Sequence, residues 1–216
     1  LDGSNLLLKN WSLDMTDDDD HGVDMWIRGQ GNVLLEDMEW LGRAPIEHVN
    51  GSDNSRRQHL ALDAFSGQTI GRRIFMRQSA VIPGYPDGIA GIRVTPGTSG
   101  TVRIEDPHIE QRGSSAIRST KMPGAVEYVG GLFKNNDNTN IRLSGGGSGD
   151  SFVRDSTVVV DNNLNSHAKP GDSLTDSEAI RLDSTGNGYS GLTLENVHVT
   201  FTGDAPGTAV VYAPGW

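Results

Sequence analysis

Arginine recurs directly after isoleucine at several places in this 216-residue chain. Valine or leucine follows in most cases, and side chains in a strand alternate between its two faces. If the isoleucines are buried and the strands stack, the arginines point outward in a column with a spacing of about 4.8 Å. A guanidinium group matches carboxylate and sulfate groups through two parallel hydrogen bonds. The pattern predicts a binding strip for an acidic glycan, lined by Arg93, Arg118, Arg142 and Arg181.

A structural role is the alternative interpretation of this column. Guanidinium groups at that spacing repel one another unless anions lie between them. Outward carboxylates on a neighbouring sheet, such as Glu105, Glu127 and Glu195, could supply those anions. In that case the column stabilises the fold and binds nothing.

Polar insertions add further candidate groups. Histidines there could donate hydrogen bonds or act as acids and bases at the edge of the strip, and a tyrosine could stack on a sugar face. These residues are His48, His59, His167 and Tyr85. A run of four aspartates and a histidine could hold Ca²⁺, although it lacks EF-hand spacing and also fits a solvated loop. The run is Asp17, Asp18, Asp19, Asp20 and His21.

Two columns of positions show that the chain is repetitive. The first column is the leading apolar residue of each repeat: Ile27, Leu60, Ile92, Ile117, Ile141, Ile180 and Val210. The second is a polar corner residue: Asn10, Asp37, Gln78, Asp106, Gly130, Asp155 and Asn196. Short amide and carboxylate side chains satisfy turn amides at such corners and can form a stacked ladder. The corner column is therefore interpreted as structural, with a local kink at Gly130.

The shortest separation in these columns, 24 to 25 residues, corresponds to one repeat, and longer separations contain an inserted loop. A repeat this short cannot bury its own apolar side, so neighbours must stack. We predict an all-β parallel β-helix, a solenoid of about seven coils with three short strands per coil, as a single domain over 1–216. A β-propeller, the alternative, needs blades of about 40–45 residues. The predicted shared core contains Ile92, Val94, Val102, Ile104 and Ile109.

The lengths of the insertions also predict which parts of the solenoid surface are raised and which are low. Long insertions precede the leading strands that begin at Ile27, Leu60 and Ile180, whereas short ones precede those at Ile92, Ile117 and Ile141. The coils with short connections should form a low floor about 14 Å wide between two raised walls. The arginine column would line that floor.

Charge and composition indicate the environment of the protein and the partners that it is not expected to bind. Of 28 acidic residues 20 are aspartate, of 18 basic residues four are lysine, and the net charge is −10. Such a surface is typical of extreme halophiles, because molar salt shortens the Debye length to roughly 3 Å; an ordinary acidic secreted protein is the alternative. Nucleic acids and anionic membranes are disfavoured partners. The absence of cysteine excludes disulfides and thiolate metal sites, and no apolar run is long enough for a membrane span.

A tight polar corner after the second strand, with variable loops before each first strand, resembles the right-handed parallel β-helix of the pectate-lyase-like superfamily, in a haloarchaeal or halovirus form. The resemblance covers nearly the whole chain. It implies an extracellular, cell-surface or virion protein that handles polysaccharide in a groove along the first sheet. The stretch Met25-Trp26-Ile27-Arg28 is similar to the Trp-Ile-Asp-His motif of pectate lyases but lacks the Asp and His. The catalytic residues, if any, are therefore unknown.

Three functions remain open. The first is recognition of anionic glycan by an extracellular surface or tail-like protein without catalysis. The second is a polysaccharide lyase that acts on an acidic polysaccharide. The third is a purely structural fibre segment. No cofactor is expected apart from the possible Ca²⁺, and the chain is expected to lack end caps and to belong to a homo-oligomer or a larger assembly.

Overall fold

The computed structural model describes residues 2–3, 5–15, 25–42, 58–64, 66–77, 90–112, 115–136, 139–144, 150–161, 178–183, 192–203 and 209–213. These residues form nineteen β-strands and no helix, so the fold is all-β, as predicted. None of the described residues belongs to a helix that could cross a membrane.

The first sheet contains one strand from each repeat. Every pairing in it is parallel, and each strand pairs with the corresponding strand of the next repeat. Its eight strands are β1 (Asp2–Gly3), β3 (Met25–Gly29), β5 (Gln58–Ala64), β7 (Ala90–Val94), β10 (Ser115–Ser119), β13 (Thr139–Leu143), β16 (Glu178–Asp183) and β19 (Val210–Ala213).

The second sheet has eleven strands, also paired in parallel, and it bends at the corner residues. In the first three repeats one long strand passes through the corner: β2 (Leu6–Met15), β4 (Val33–Gly42) and β6 (Gln68–Arg77). In later repeats the corner divides it into two strands, so three strands per repeat are found only there. These pairs are β8 (Thr101–Glu105) with β9 (His108–Glu110), β11 (Val126–Val129) with β12 (Leu132–Lys134), β14 (Ser151–Arg154) with β15 (Thr157–Val160), and β17 (Leu192–Glu195) with β18 (His198–Phe201).

One hydrophobic core contains side chains from both sheets. The predicted core residues are at most 1% exposed, and they belong to the same cluster as Ile117 and Ile141. The leading apolar column is in register from Leu60 to Val210. Its first member was misaligned, because Ile27 pairs with Leu62 and Leu60 pairs with Met25. A shift of two residues keeps the same side chains inward, so the apolar pattern alone could not detect it.

The corner column is correct except in the third repeat. The predicted Gln78 lies outside the described residues, and Arg73 holds that corner with φ 51°. An arginine is unusual in this left-handed backbone region, which favours Gly, Asn and Asp. Here the Arg73 guanidinium donates to two carboxylates of the preceding repeat, from Nε to Asp37 Oδ1 at 2.6 Å and from Nη2 to Glu36 Oε1 at 2.6 Å.

The corner at Gly130 keeps its backbone hydrogen bonds, but it differs from the other described corners because the following residue, Gly131, also has a positive φ, of 89°. The Asp106 amide donates to the Val129 carbonyl at 2.9 Å, and the Gly130 amide donates to the Arg154 carbonyl at 2.8 Å. Gly130 has φ 71°, and a Cβ there would lie 2.3 Å from Asp106 Oδ1. Glycine therefore leaves room for the aspartate of the repeat below.

The connections between strands agree only partly with the predicted walls and floor. Residues 16–24, 43–57 and 161–177 separate strands of the second sheet from β3, β5 and β16, as expected for long insertions. However, β6 ends at Arg77, so residues 78–89 also form a long connection before β7, where a short one was predicted. Short connections precede only β10 and β13, which makes the predicted floor two strands wide instead of three.

Candidate anion-binding site

The register of the first sheet aligns the four arginines of the predicted strip. Arg118 pairs with Arg93 of β7 on one side and with Arg142 of β13 on the other, and Arg142 pairs with Arg181 of β16. All four are partly buried. Parallel strands lie about 4.8 Å apart, so the column brings like charges together, as the sequence indicated.

Two members of the column are neutralised by carboxylates of β16. Arg142 Nε donates to Asp183 Oδ2 at 2.7 Å, and Arg181 Nε lies 3.1 Å from Asp183 Oδ1. Arg181 Nη1 also lies 3.1 Å from Glu178 Oε1. Both carboxylate residues are less than a tenth exposed. The ion pairs that they form with the arginines are therefore largely shielded from water.

Arg118 differs from these two. Its guanidinium forms no hydrogen bond or ion pair with any described residue, and its Nε is buried without a partner. Burial, together with the positive charges of Arg142 and Arg93, lowers the pKa of Arg118 to about 10. The nearest compensating charge, Asp183, is engaged by the next two arginines. Arg118 is therefore the least compensated cation of the column, while Arg93 has contacts of its own.

The residues beside Arg118 explain its isolation. Arg181 is flanked by Glu178, three residues before it, and Asp183, two residues after it. The corresponding residues in the Arg118 repeat are Ser115 of β10, which aligns with Glu178 through Thr139, and Thr120, which directly follows β10 and stands two residues after Arg118. Both carry hydroxyls where Arg181 has carboxylates. Ser115 Oγ is itself buried without a hydrogen-bond partner.

Two unsatisfied polar groups thus lie three residues apart on β10: Arg118 Nε and Ser115 Oγ. A buried polar group without a partner costs about 1–3 kcal/mol. Each of these groups can donate a hydrogen bond to a carboxylate or sulfate oxygen. A cation at this position would be repelled by the arginine column.

The predicted partners of the column are elsewhere. Glu105, Glu127 and Glu195 do not pair with the first-sheet arginines, because each contacts an arginine of the second sheet. The contacts are Arg72 Nε to Glu105 Oε2 at 2.5 Å, Arg103 Nη1 to Glu127 Oε2 at 2.7 Å and Arg154 Nε to Glu195 Oε2 at 2.7 Å. The hydrogen bond from Arg103 holds the pKa of Glu105 below its usual value. Arginine and glutamate neighbour each other on adjacent strands there.

Of the other predicted site residues, the structure describes only His59. His48, His167, Tyr85, Asp17, Asp18, Asp19, Asp20 and His21 lie outside the described residues. His59 was expected at the edge of the strip, but it lies within β5 and is fully buried. Hence it does not border an exposed surface. In the described part of the chain, no group of three or more His, Asp or Glu could hold a metal ion.

Sequence reasoning missed the residues at the other end of the strip. In the correct register the arginine column continues through Ala61 to Trp26, and the adjacent column contains Arg28 and Asp63. The misalignment of Ile27 with Leu60 had placed Arg28 in the column instead. The pairing of β3 with β5 over five residues settles the register. The alternation of apolar residues alone could not, because it is the same whether Ile27 aligns with Leu60 or with Leu62.

Comparison with protein-family models, with curated proteins and with solved structures finds no match to this chain.

Proposed function

We propose that this chain is a right-handed parallel β-helix that binds anionic glycan on its first sheet, at the surface of a halophilic cell or virus particle. The two parallel sheets, the shared core and the repeated corner support the β-helix. In such a solenoid each repeat contributes one rung, and the outer face of a sheet becomes a continuous strip of aligned side chains.

The observation that carries the binding function is the guanidinium of Arg118, which has no partner among the described residues although the β16 end of its column is neutralised. Its charge is retained although burial and two neighbouring arginines oppose it. A structural arginine in this position would be expected to have a carboxylate beside it, as Arg181 does. An acidic ligand group would relieve both the unsatisfied hydrogen bonds and the like-charge repulsion.

The surface charge supports the proposed setting. A net charge of −10 with 20 aspartates and four lysines is destabilising by self-repulsion in dilute buffer and is screened in concentrated salt. Because the surface as a whole repels anions, an acidic glycan must be bound by specific contacts. The arginine column provides such contacts in one place.

Calorimetric binding of an octamer of galacturonate, at constant KCl concentration, tests the function. The substitution Arg118→Gln should weaken binding by about 10- to 100-fold, since a hydrogen bond to a charged group contributes roughly 1.5–3 kcal/mol. Arg154→Gln is the matched control, because it removes the same charge from an arginine paired with Glu195 on the second sheet. It should change the affinity by less than about twofold.

Two results would contradict the proposal. Equal affinity of the two variants would show that Arg118 has no special role. Absence of binding by the unmodified protein to both galacturonate and sulfated oligosaccharides would leave the structural fibre function in its place.

A polysaccharide lyase is the second candidate function, favoured by the pKa of Arg118 near 10. An arginine with a lowered pKa is closer to the range in which it can accept the proton beside a uronate carboxylate. Release of unsaturated uronate, followed by ultraviolet absorbance, distinguishes this function from binding alone. The rate should fall in Arg118→Gln and increase with pH towards 10.

A further inference from the structure

The end of the strip formed by β3 and β5 has a different composition from the arginine column. Trp26 aligns with Ala61, which aligns with Arg93, so an aromatic ring takes the place of an arginine there. Trp26 is 38% exposed, and the guanidinium carbon of Arg28 lies over its ring, 4.7 Å from the centroid. Arg28 thus covers one face of the indole, and a sugar ring that stacks on Trp26 must use the opposite face.

Asp63 adds an unsatisfied acceptor to this end. The residue is only 6% exposed, and its Oδ1 is buried without a hydrogen-bond partner. Its other oxygen, Oδ2, lies 3.9 Å from Arg28 Nε, which is too long for a direct hydrogen bond. A buried carboxylate in this condition destabilises the protein unless a ligand or solvent donates to it.

A comparison with Asp183 explains why Asp63 lacks donors. Asp183 accepts from Arg181, two residues before it on the same strand, and from Arg142 on the preceding strand. The equivalent residues for Asp63 are Ala61 and Trp26, neither of which offers a donor to Oδ1. Among the described residues, the strip thus has a guanidinium without a carboxylate partner at Arg118 and a carboxylate oxygen without a donor at Asp63 Oδ1.

We infer that Trp26 and Asp63 form a subsite for an uncharged sugar, with the pyranose face on the indole and its hydroxyls donating to Asp63 Oδ1. The subsite rests on the proposed binding of an acidic sugar at Arg118. Asp63 on β5 and Arg118 on β10 are two strand spacings apart, about 9.6 Å, and they are also offset by two residues along the strands, because Ala61 is the residue that aligns with Arg93 and Arg118. The ligand class is therefore a glycan in which an acidic sugar is followed by an uncharged one.

An acidic sugar is disfavoured at Asp63 because two carboxylates would repel each other in a partly desolvated place. A homopolymer of uronate would therefore engage Arg118 but not this subsite. An alternating polymer would engage both.

Calorimetry with three probes tests the subsite. The probes are a hyaluronan octasaccharide, in which uronate alternates with an uncharged N-acetylhexosamine, its carboxyl-reduced form, and a galacturonate octamer. Asp63→Ala and Trp26→Ala should each weaken binding of the hyaluronan octasaccharide about tenfold and change binding of the galacturonate octamer by less than about twofold. The isosteric Asp63→Asn should give an intermediate loss, since a neutral acceptor is weaker, and it should not lower the melting temperature.

Matched controls are Asp150→Ala, which removes an exposed carboxylate, and Trp11→Ala, which removes an indole of the second sheet that is 44% exposed. Both should bind all probes as the unmodified protein does. If Asp63→Asn and Trp26→Ala also do so, the subsite is refuted.

The failure of the acid site is distinguishable from the failure of the subsite. If Arg118→Gln binds every probe normally while Asp63→Ala loses hyaluronan and its carboxyl-reduced form, the Arg118 site is wrong and the subsite stands. If Arg118→Gln alone weakens both acidic probes, the subsite is wrong. If the unmodified protein binds none of the three probes, both are wrong.

Discussion

Arg118 and Arg181 occupy the same register position on two strands of the first sheet, yet their surroundings are opposite. Arg181 has Glu178 and Asp183 beside it, within 3.1 Å. Arg118 has Ser115 and Thr120 at the corresponding positions and contacts no described carboxylate. At the β16 end of the column the arginines thus belong to a largely buried network of ion pairs, whereas Arg118 on β10 has a positive charge that no described carboxylate contacts.

The difference shows that a repeated cation does not define a site by itself. Stacking aligns any residue that recurs in the repeat, and alignment of arginines is destabilising unless carboxylates separate them. The second sheet follows that rule, with Arg103 between Glu105 and Glu127. The strand that carries Arg118 is an exception, because no described carboxylate separates Arg118 from its neighbouring arginines. Such local exceptions are expected at functional sites.

The strongest way to abolish the difference is to give Arg118 the carboxylate that Arg181 has. Thr120→Asp places one two residues after Arg118, at the same offset as Asp183 from Arg181. The new carboxylate competes with the ligand and repels it, so affinity for the galacturonate octamer should fall roughly 100-fold. Isothermal titration calorimetry measures the loss.

Thr193→Asp is the control for this prediction, because it adds the same charge at an exposed position of β17 on the second sheet. It should leave binding close to that of the unmodified protein. Normal binding by Thr120→Asp would mean that Arg118 is not the anion site.

The converse experiment makes the paired end resemble Arg118. Asp183→Ser removes the carboxylate shared by Arg142 and Arg181 and extends the uncompensated strip. Affinity for the galacturonate octamer should rise about tenfold, while stability to urea should fall by about 1–3 kcal/mol, because partly buried guanidinium groups lose a partner. Asp161→Ser, which removes the carboxylate that pairs with Lys134 at 3.0 Å, is the control and should not increase affinity. An unchanged affinity in Asp183→Ser would show that the carboxylate does not limit the strip.

The all-β class, the parallel stacking and the arginine column could all be predicted from the sequence. Each depends on a pattern that repeats many times, such as the apolar position occupied by Ile92, Ile117 and Ile141 or the polar corner at Asp106 and Asp155. Errors at single positions do not disturb such patterns. The same averaging explains why the core residues were identified correctly.

Two features of the site could not be predicted from the repeat. The predicted alignment of Ile117 with Ile180 also aligns Ser115 with Glu178, but only the side-chain contacts show that Glu178 and Asp183 both reach Arg181. Likewise, the alignment of Trp26 with Ala61 differs by two residues from the one that the apolar pattern indicated. Arg73 at a corner was also missed, since the favourable residues there are Gly, Asn and Asp.

The two arginines should also differ in their contribution to stability. Replacing Arg118 with Gln removes a desolvated charge next to two like charges, so the melting temperature should rise by about 2–4 °C, equivalent to roughly 1 kcal/mol for a chain of this size. Arg181→Gln leaves Glu178 and Asp183 with fewer donors and should lower the melting temperature by a similar amount. Circular dichroism at constant KCl concentration measures both shifts. A decrease of the same size in both variants would contradict the distinction.

The smallest expected effect is a change with pH in the difference between the unfolding free energies of Arg118→Gln and the unmodified protein. The pKa of Arg118 in the folded protein is lowered to about 10 by burial and by Arg142 and Arg93. Between that value and the higher, ordinary pKa of an unfolded arginine, the unfolded chain binds a proton that the folded chain has released. Stability therefore rises with pH in this window relative to a protein that has no arginine at 118. From about pH 9 to about pH 11 the advantage of Arg118→Gln over the unmodified protein should shrink by about 1 kcal/mol.

Urea unfolding of the two proteins at each pH gives this difference, and the titration of other groups cancels because both proteins share them. The pair of Arg181→Gln with the unmodified protein should show no such narrowing. If the Arg118→Gln advantage is constant up to about pH 11, Arg118 is compensated in solution, and the contrast with Arg181 does not hold.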